Sequence, residues 1–247
     1  MDHLFVHVSD IHVGRGERGD FLPKKLETCI DEVNELAPDA VILTGDLTMW
    51  GLKEDYSLAK KYVDRFKSKT LIIPGNHDSR YTGYIYFEKY FGVGNWTQEI
   101  GDVFIVGVDS TIPDLDEGQV GRGRQDWVEK TLQNAPEGMY KIVAVHHHLV
   151  SVPGTGRERS VLTDAGDFLQ MLVRNDVNLV LCGHKHTPYV WRVEDVYVVT
   201  AGTPSSRKVR ANIPQCYYII EIGDIYTTIR LKEVGGKEQP IRKCKTL

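Results

Sequence analysis

Short apolar runs rich in β-branched residues alternate along this chain with segments of helical period, and this alternation constrains the fold most. The runs at 4–8, 40–44 and 70–73 predict strands, and the segments at 24–37 and 54–66 between them predict helices. Because strand–helix–strand connections of this length join parallel strands, we expect a largely parallel sheet.

The second half of the chain repeats the alternation and then changes character. Strands are predicted at 103–108, 141–145 and 179–181, with helices at 125–132 and 165–174. Four more runs follow between residues 189 and 231, and the tight Glu-Asp and Gly-Asp connections among them are typical of antiparallel hairpins. We therefore expect an α/β fold with mixed sheets, in one domain at 1–234 that is followed by a polar, frayed tail at 235–247.

Composition argues against several classes of protein. The 247 residues include 30 basic and 34 acidic side chains, and the net charge of −4 argues against a broad basic surface for non-specific nucleic-acid binding. The cysteines form no close CxxC pair, which argues against a thiolate zinc site, and no disulfide framework is visible. Neither a signal peptide nor an apolar run of about 20 residues is found, so we expect a cytoplasmic protein without a membrane segment.

Polar side chains of the kinds that bind metals follow five of the predicted strands directly. They are Asp10 and His12, then Asp46, then Asn76 with His77 and Asp78, then His146, His147 and His148, and finally His184 and His186. In open α/β sheets the ligand crevice lies at the carboxyl ends of the strands. We therefore expect residues that are far apart in sequence to converge on one site.

The types of these side chains indicate which ligand they hold. Carboxylate, imidazole and amide groups without thiolate suit borderline to hard divalent metals, and they are too numerous for one tetrahedral zinc site. They suit two cations about 3.5–4 Å apart, which together contact the attacking and the leaving oxygen of an in-line displacement at phosphorus. Asp46 stands alone at its strand end and is expected to bridge the cations, while Gly45, Gly75 and Gly183 are expected to let the backbone turn sharply.

Each motif also has a simpler explanation when it is taken alone. Asp10 could cap a turn and His12 could be a surface residue; residues 75–78 have the composition of a turn, and 146–148 could be a histidine-rich loop. The occurrence of all five motifs at strand ends favours a metal site over these explanations.

The order of the motifs resembles one known family. DxH, GD, GNHD, a histidine pair and GHxH occur in this order between residues 10 and 186, and this set resembles the calcineurin-like metallophosphoesterase superfamily. The resemblance implies a four-layer αββα sandwich with two mixed β-sheets and a dinuclear metal centre at the carboxyl ends of the strands. The segment around Gly45-Asp46 is most similar to the class III cyclic-nucleotide phosphodiesterases, and Met49 stands where purple acid phosphatases have a tyrosine ligand.

The resemblance also implies roles for individual residues. One metal would be held by Asp10, His12, Asp46 and His186, and the other by Asp46, Asn76, His146 and His184. The implied catalytic residues are His77, which would stabilise charge or protonate the leaving oxygen, and Asp78, which would orient a neighbouring group. The candidate substrate-binding residues are Asn76, His77, Arg80 and His147, although a solvated surface arginine is the favoured explanation of Arg80 when it is taken alone. The metals could be manganese, iron, zinc or cobalt.

These residues predict a metal-dependent hydrolysis of a small phosphoester. A water molecule between the two cations would lose a proton near neutral pH and attack phosphorus in line with the leaving alkoxide. No arginine pair is firmly placed near the motifs, which favours a diester, such as a cyclic nucleotide, over a monoester. A DNA or RNA nuclease, a phosphomonoesterase and a non-catalytic scaffold are the alternatives, nucleic acid is not the favoured partner, and a homodimer is left open.

Three loops are expected to determine specificity because they follow or flank the motifs. They are the Gly- and Arg-rich loop at 13–21, the aromatic segment at 81–91, and the loop at 150–160 with Gly154, Gly156, Arg157 and Arg159. The aromatic side chains of 81–91 could stack on a base or form the packing face of a helix.

Overall fold

The computed structural model describes residues 2–14, 20–155, 162–210 and 212–246. Its strands are β1 (Asp2–Val8), β2 (Ala40–Leu43), β3 (Lys69–Ile72), β4 (Trp96–Ile100), β5 (Val103–Val108), β6 (Tyr140–Val145), β7 (Leu179–Cys182), β8 (Tyr189–Val193), β9 (Val196–Thr200), β10 (Cys216–Gly223), β11 (Tyr226–Glu233) and β12 (Glu238–Lys245). Its helices are α1 (Pro23–Leu36), α2 (Lys53–Val63), α3 (Gly83–Phe91), α4 (Arg122–Gln133) and α5 (Ala165–Arg174), with a short 3-10 helix at His77–Ser79. Parts of the predicted loops 13–21 and 150–160, including Gly156, Arg157 and Arg159, lie outside the described residues.

The strands form two mixed sheets of six strands each. The first has the order β12-β11-β10-β1-β2-β3, in which β1, β2 and β3 are parallel and the other pairs are antiparallel. The second has the order β4-β5-β6-β7-β9-β8, in which β5, β6, β7 and β9 are parallel. Each sheet therefore has a parallel part whose carboxyl ends form one edge.

The alternation of side chains along the strands places one core between the sheets and one on each outer face. Phe5 and Ile142 belong to the core between the sheets, whereas their neighbours Val6 and Val143 face outward. Val6 packs in a core that includes side chains of α1 and α2, and Val143 in one that includes Phe168 of α5. The order of layers is helix, sheet, sheet, helix, so the predicted four-layer sandwich is confirmed.

Local sequence explains where α1 begins and ends. Pro23 occupies the first turn, where its missing N–H costs no hydrogen bond, and Leu26, Ile30 and Val33 recur on the buried face. The helix stops at Ala37, which adopts the left-handed conformation with φ 47° ahead of Pro38.

The structure adds elements that the sequence did not predict. The sequence does not predict β4, because apolar residues stand only at its two ends, and for residues 81–91 it predicts either a helix or aromatic side chains that stack on a base. Tyr86, Phe87 and Tyr90 of α3 pack in the outer core against α2, where the ring of Tyr90 stacks on that of Tyr56 at 6.0 Å, so the helical packing face is the observed arrangement.

The segment at 235–247, predicted as a frayed polar tail, contains a strand instead. β12 pairs antiparallel with β11 along its length, with one register shift between Ile229 and Arg230. The residues of β12 are mostly exposed, as expected from their polarity, because β12 is an edge strand. Backbone pairing therefore orders a segment that carries almost no apolar signal.

Among the described residues, no helix is long and apolar enough to cross a membrane.

Candidate metal centre

Loops from both sheets bring the predicted ligands together at one edge. The ligands follow β1, β2 and β3 of the first sheet and β6 and β7 of the second. Two of the contacts that join the sheets at this edge involve the backbone: the His146 Nδ1–H donates to the carbonyl of Thr44 at 2.6 Å, and the His184 backbone nitrogen lies 3.0 and 3.1 Å from the two carboxylate oxygens of Asp10. Residues separated by more than a hundred positions thus share one buried cluster.

One half of the cluster contains Asp10, His12 and His186. The Nε2 atoms of His12 and His186 are 2.9 Å apart, and the His186 Nε2 lies 3.3 Å from Asp10 Oδ1. The His186 Nδ1–H donates to the carbonyl of Lys208 at 2.7 Å, which directs its Nε2 into the cluster. Two imidazole nitrogens at this separation repel each other unless a proton or a cation lies between them, so the arrangement fits a metal.

The other half contains Asn76, His146 and His184. The Oδ1 atom of Asn76 lies 3.1 Å from His146 Nε2 and 2.9 Å from His184 Nδ1. The donation from His146 Nδ1 to Thr44 again leaves Nε2 facing inward. An amide oxygen and two imidazole nitrogens form a donor set that suits a divalent cation.

Asp46 lies between the two halves. Its Oδ2 is 3.5 Å from His12 Nε2 and its Oδ1 is 3.5 Å from His146 Nε2. Burial alone would raise the pKa of Asp46, but the positive charges that His146, His77 and His12 can carry lower it well below its usual value. Burial likewise opposes protonation of His146, yet the Asp46 carboxylate outweighs it and raises the pKa of His146 to about 9. A proton on His146 therefore occupies the position that a cation would take.

The backbone is strained at most of the predicted ligands. Asp10, His12, Asp46, His184 and His186 all adopt positive φ angles, between 47° and 74°. Non-glycine residues seldom adopt this conformation, which costs on the order of 1–3 kcal/mol each and concentrates at functional sites. The strain indicates that the fold is arranged to direct these side chains inward.

The nearby glycines serve two different purposes. Gly45 has a φ of 91°, as expected for a sharp turn. Gly75 and Gly183 do not have positive φ, so the turning role predicted for them is wrong. They are required for close approach instead: a Cβ at Gly75 would collide with the backbone nitrogen and carboxylate of Asp46, and one at Gly183 with Ser9.

His77 lies at the mouth of the cluster. Its backbone N–H donates to Asp46 Oδ1 at 2.8 Å, and its Nδ1–H donates to the carbonyl of Met49 at 2.7 Å. Burial lowers the pKa of His77, although Asp46 raises it in part. Because Nδ1 is bonded to the Met49 carbonyl, the Nε2 atom of His77 is the ring nitrogen that can contact a molecule in the cavity.

Asp78 lies beneath the site and does not line its cavity. It is fully buried and accepts hydrogen bonds from the N–H groups of Leu47 (3.0 Å), Thr48 (2.9 Å) and Gly75 (2.9 Å) and from the Thr48 hydroxyl (2.9 Å). Asp78 thus ties the loop after β2 to the loop after β3, which is the arrangement that the orienting role predicted for it requires.

Two residues predicted to bind substrate have other contacts. His147 is fully buried; its Nε2–H donates to the carbonyl of Asp116 at 3.2 Å and its Nδ1 accepts from the Ser110 hydroxyl at 2.8 Å. The Arg80 guanidinium donates to Asp116 Oδ1 at 3.0 Å and lies over the Trp50 ring at 5.1 Å. Both are therefore held by protein groups beside the metal cavity.

Four further residues line the metal cavity and were not predicted from the sequence. The cavity, of about 180 Å³, is lined by Asp116, Lys185, Lys208 and Arg210 in addition to predicted site residues. Lys185 lies inside the last motif, where its position was a usable signal, whereas the others lie in loops that carry no motif. Burial, followed by the charge of Arg210, lowers the pKa of Lys185, whereas the Asp116 carboxylate raises it in part.

Comparison with known proteins adds a family to this geometry. A family profile described as calcineurin-like phosphoesterase matches residues 3–188. The chain belongs to the calcineurin-like phosphoesterase family. It is therefore a hydrolase that acts on phosphoester bonds, and the predicted resemblance is confirmed.

Two relatives and one solved structure are similar to this chain. A probable glycerophosphodiester phosphodiesterase of Arcobacter nitrofigilis is 31% identical over 223 residues, which are 82% of this chain and 78% of the relative. A 3′,5′-cyclic-nucleotide phosphodiesterase of Nostoc is 27% identical over 213 residues, which are 81% of this chain and 76% of the relative. The purple acid phosphatase of yellow lupin matches 99% of this chain and 53% of its own, with a TM-score of 0.74 and 13% identity, a likeness in fold alone.

Proposed function

We propose that this member of the family is a metal-dependent phosphodiesterase that acts on a small diester. The observation that carries the proposal is the position of Asp46, which directs one carboxylate oxygen at each of two donor groups. Hydrolysis of a diester requires charge stabilisation on both the attacking and the leaving oxygen, and two cations held on either side of Asp46 would supply it.

The residues would divide between two cations. Asp10, His12, Asp46 and His186 would hold one, and Asp46, Asn76, His146 and His184 the other. When bound, the cations would supply an acidified water and neutralise charge on the phosphate oxygens. Manganese, iron, zinc and cobalt all accept these donors, and the donor set does not select among them.

His77 would assist the departure of the leaving group. Since the Met49 carbonyl holds the proton on Nδ1, the ring must carry a second proton on Nε2 to donate one to the leaving oxygen. The reaction breaks the phosphorus–alkoxide bond, forms a new bond from phosphorus to the oxygen of water, and yields an alcohol and a phosphomonoester. His77 would give its Nε2 proton to the alkoxide and regain one from the attacking water.

The preference for a diester rests on the relatives rather than on an absence of cations. The lack of an arginine pair near the motifs does not support a diester, because Lys185, Lys208 and Arg210 line the cavity. Relatives named as glycerophosphodiester and cyclic-nucleotide phosphodiesterases support a small diester, and a cyclic nucleotide remains the first candidate.

A substrate panel with the manganese-loaded protein tests the proposal. We expect turnover of bis-p-nitrophenyl phosphate and cyclic AMP, slower turnover of p-nitrophenyl phosphate, little cleavage of single-stranded DNA, and loss of all activity on chelation. Preference for p-nitrophenyl phosphate would indicate a phosphomonoesterase, and preference for DNA a nuclease. Absence of metal-stimulated hydrolysis of any ester would refute the proposal and favour a scaffold.

A variant separates catalysis from metal binding. His77→Ala is expected to reduce turnover of bis-p-nitrophenyl phosphate by roughly 10²–10⁴-fold, the usual contribution of a general acid, while the metal content stays nearly intact. His3→Ala is the matched control, because His3 lies at the opposite end of β1 and contacts Asp102. Joint loss of metal and turnover in His77→Ala would show that His77 is a ligand.

A further inference from the structure

We propose that Lys185 and Arg210, flanked by Lys208, form a subsite that binds a second phosphate group carried by the substrate. The inference rests on the proposed function and identifies a class of diester that the site favours over others: one whose arm bears another phosphate. It arises from residues that lie outside the predicted metal ligands but line the same cavity.

The three cations are gathered on one side of the metal cavity. Lys185 is almost fully buried, at 5% exposure, and it stands between the two histidines of the last motif. Arg210 comes from the loop after β9 and is anchored by donation from its Nη1 to the carbonyl of Thr155 at 2.7 Å. Lys208 precedes it in the same loop, and its carbonyl accepts the hydrogen bond of His186.

The acidic side chains near Lys185, Lys208 and Arg210 do not cancel the positive charge of these three residues. The carboxylate of Asp20 lies 3.4 Å from the Lys208 ammonium and offsets one charge. Asp116 also lines the cavity; its carboxylate is bonded to Arg80 and Asn76, and it raises the pKa of Lys185 in part, so it offsets a second charge. Lys185, Lys208 and Arg210 thus outnumber the two carboxylates, and this part of the cavity keeps a net positive charge in addition to that of the cations that the ligands would hold.

A second cavity adjoins the metal cavity at Lys185. It has a volume of about 330 Å³ and is lined by His148, Ser151, Val152, Pro153, Gly154, Thr155, Lys185 and Trp191. Lys185 lines both cavities, and Arg210 is bonded to Thr155 in the wall of the second. An arm that leaves the scissile phosphate in this direction passes the cations first and then reaches apolar and aromatic side chains.

This order of environments identifies the ligand chemistry. A lysine and an arginine side by side suit the several oxygens and double charge of a phosphate group, and arginine binds such oxygens in pairs. Trp191 and His148 then offer flat rings to a planar or apolar group at the end of the arm. A nucleoside phosphate with a second phosphate on its sugar has this sequence of groups.

Two pairs of compounds that differ by one phosphate test the subsite. The first pair is the p-nitrophenyl ester of thymidine 5′-phosphate, with and without a 3′-phosphate. The second is thymidine 3′,5′-bisphosphate and thymidine 5′-phosphate, whose binding to the manganese-loaded full chain is measured by calorimetry. We expect the additional phosphate to raise kcat/KM and to tighten binding by about tenfold or more, with the advantage falling as salt rises.

Variants assign the advantage to the cations. Arg210→Gln, at an exposed position, and Lys185→Gln are each expected to remove most of the tenfold advantage of the 3′-phosphate. Arg242→Gln, on the edge strand β12, is the matched control and is expected to leave the advantage unchanged. If Lys185→Gln fails to fold, Arg210→Gln carries the test alone.

The outcomes separate this inference from the proposed function. Hydrolysis of bis-p-nitrophenyl phosphate with equal kinetics and binding for both members of each pair would overturn the subsite and leave the phosphodiesterase standing. An advantage that persists unchanged in Arg210→Gln would also overturn it. Without any metal-stimulated hydrolysis the proposed function fails, and calorimetry still decides whether the second phosphate is bound.

Discussion

Asp116 is expected to set the affinity of the second metal position although it is not itself a ligand. Its Oδ1 accepts hydrogen bonds from Asn76 Nδ2 at 3.1 Å and from Arg80 Nη2 at 3.0 Å. With its N–H₂ group held in this way, the Asn76 amide must direct its oxygen towards His146 and His184. A rotated amide would present N–H groups to the cation instead.

The magnitude follows from that one hydrogen bond. Hydrogen bonds to charged groups contribute about 1.5–3 kcal/mol, and the Asp116 side chain is 63% exposed, so solvent reduces the value to about 1–1.5 kcal/mol. This energy corresponds to roughly tenfold weaker binding of one cation, at the lower end of what loss of an outer partner of a ligand costs.

Manganese titration of the chelator-treated protein, followed by calorimetry and by recovery of turnover, is the assay. Asp116→Ala is expected to weaken one of two binding steps about tenfold, and Asp116→Asn, which keeps an acceptor oxygen, to weaken it less. Asp114→Asn is the matched control, because Asp114 lies on the same loop but accepts from the Tyr81 N–H. Unchanged binding in Asp116→Ala, or equal weakening of both steps, would refute the reasoning.

Three other predictions concern the ligands, the packing around them and the response to acid. Asp46→Ala should remove both cations and lower turnover by roughly a thousandfold or more, measured as metal content and kcat; retention of one full equivalent of metal would contradict the bridging role. Gly75→Ala should displace Asp46 and lower turnover roughly a hundredfold, whereas Gly123→Ala, which meets no atom within 4 Å, should leave turnover unchanged; equal effects would be evidence against the close-approach argument. Burial lowers the pKa of His7 to about 3. Between pH 6.5 and 3 the unfolded chain therefore binds a proton that the folded chain excludes, and the free energy of unfolding falls on acidification by up to about 1.4 kcal/mol per pH unit. Urea unfolding of the chelator-treated protein at pH 7 and pH 5 should therefore show a loss about 2 kcal/mol smaller in His7→Gln than in the unchanged chain, and an identical loss would count against this account.

The elements that sequence patterns predicted are those with a strong apolar period. β1, β2 and β5 to β7 are buried runs, and α1 and α5 have one apolar face, so local composition alone marks them. The failures occur where pairing rather than composition creates the element. β12 is almost wholly polar and is ordered by hydrogen bonds to β11.

The candidate site divides in the same way. Asp10, Asp46, Asn76 and His184 could be predicted because each directly follows a strand in a short motif. Arg210 could not, because it lies in a loop without a motif and reaches the cavity only through the position of β9 and its bond to Thr155. Asp116 likewise lies in a loop without a motif, so no sequence pattern predicts its place in the cavity.

The sequence by itself determined the kinds of donor atoms, their order along the chain and their attachment to strand ends, because these are local properties of each segment. Only the tertiary structure decided that two sheets pack with those ends together, that Asp46 faces both donor groups, and that Lys185 and Arg210 border the cavity. The physical reason is that a contact between distant segments depends on how whole layers pack, and packing is set by the apolar faces of many residues at once.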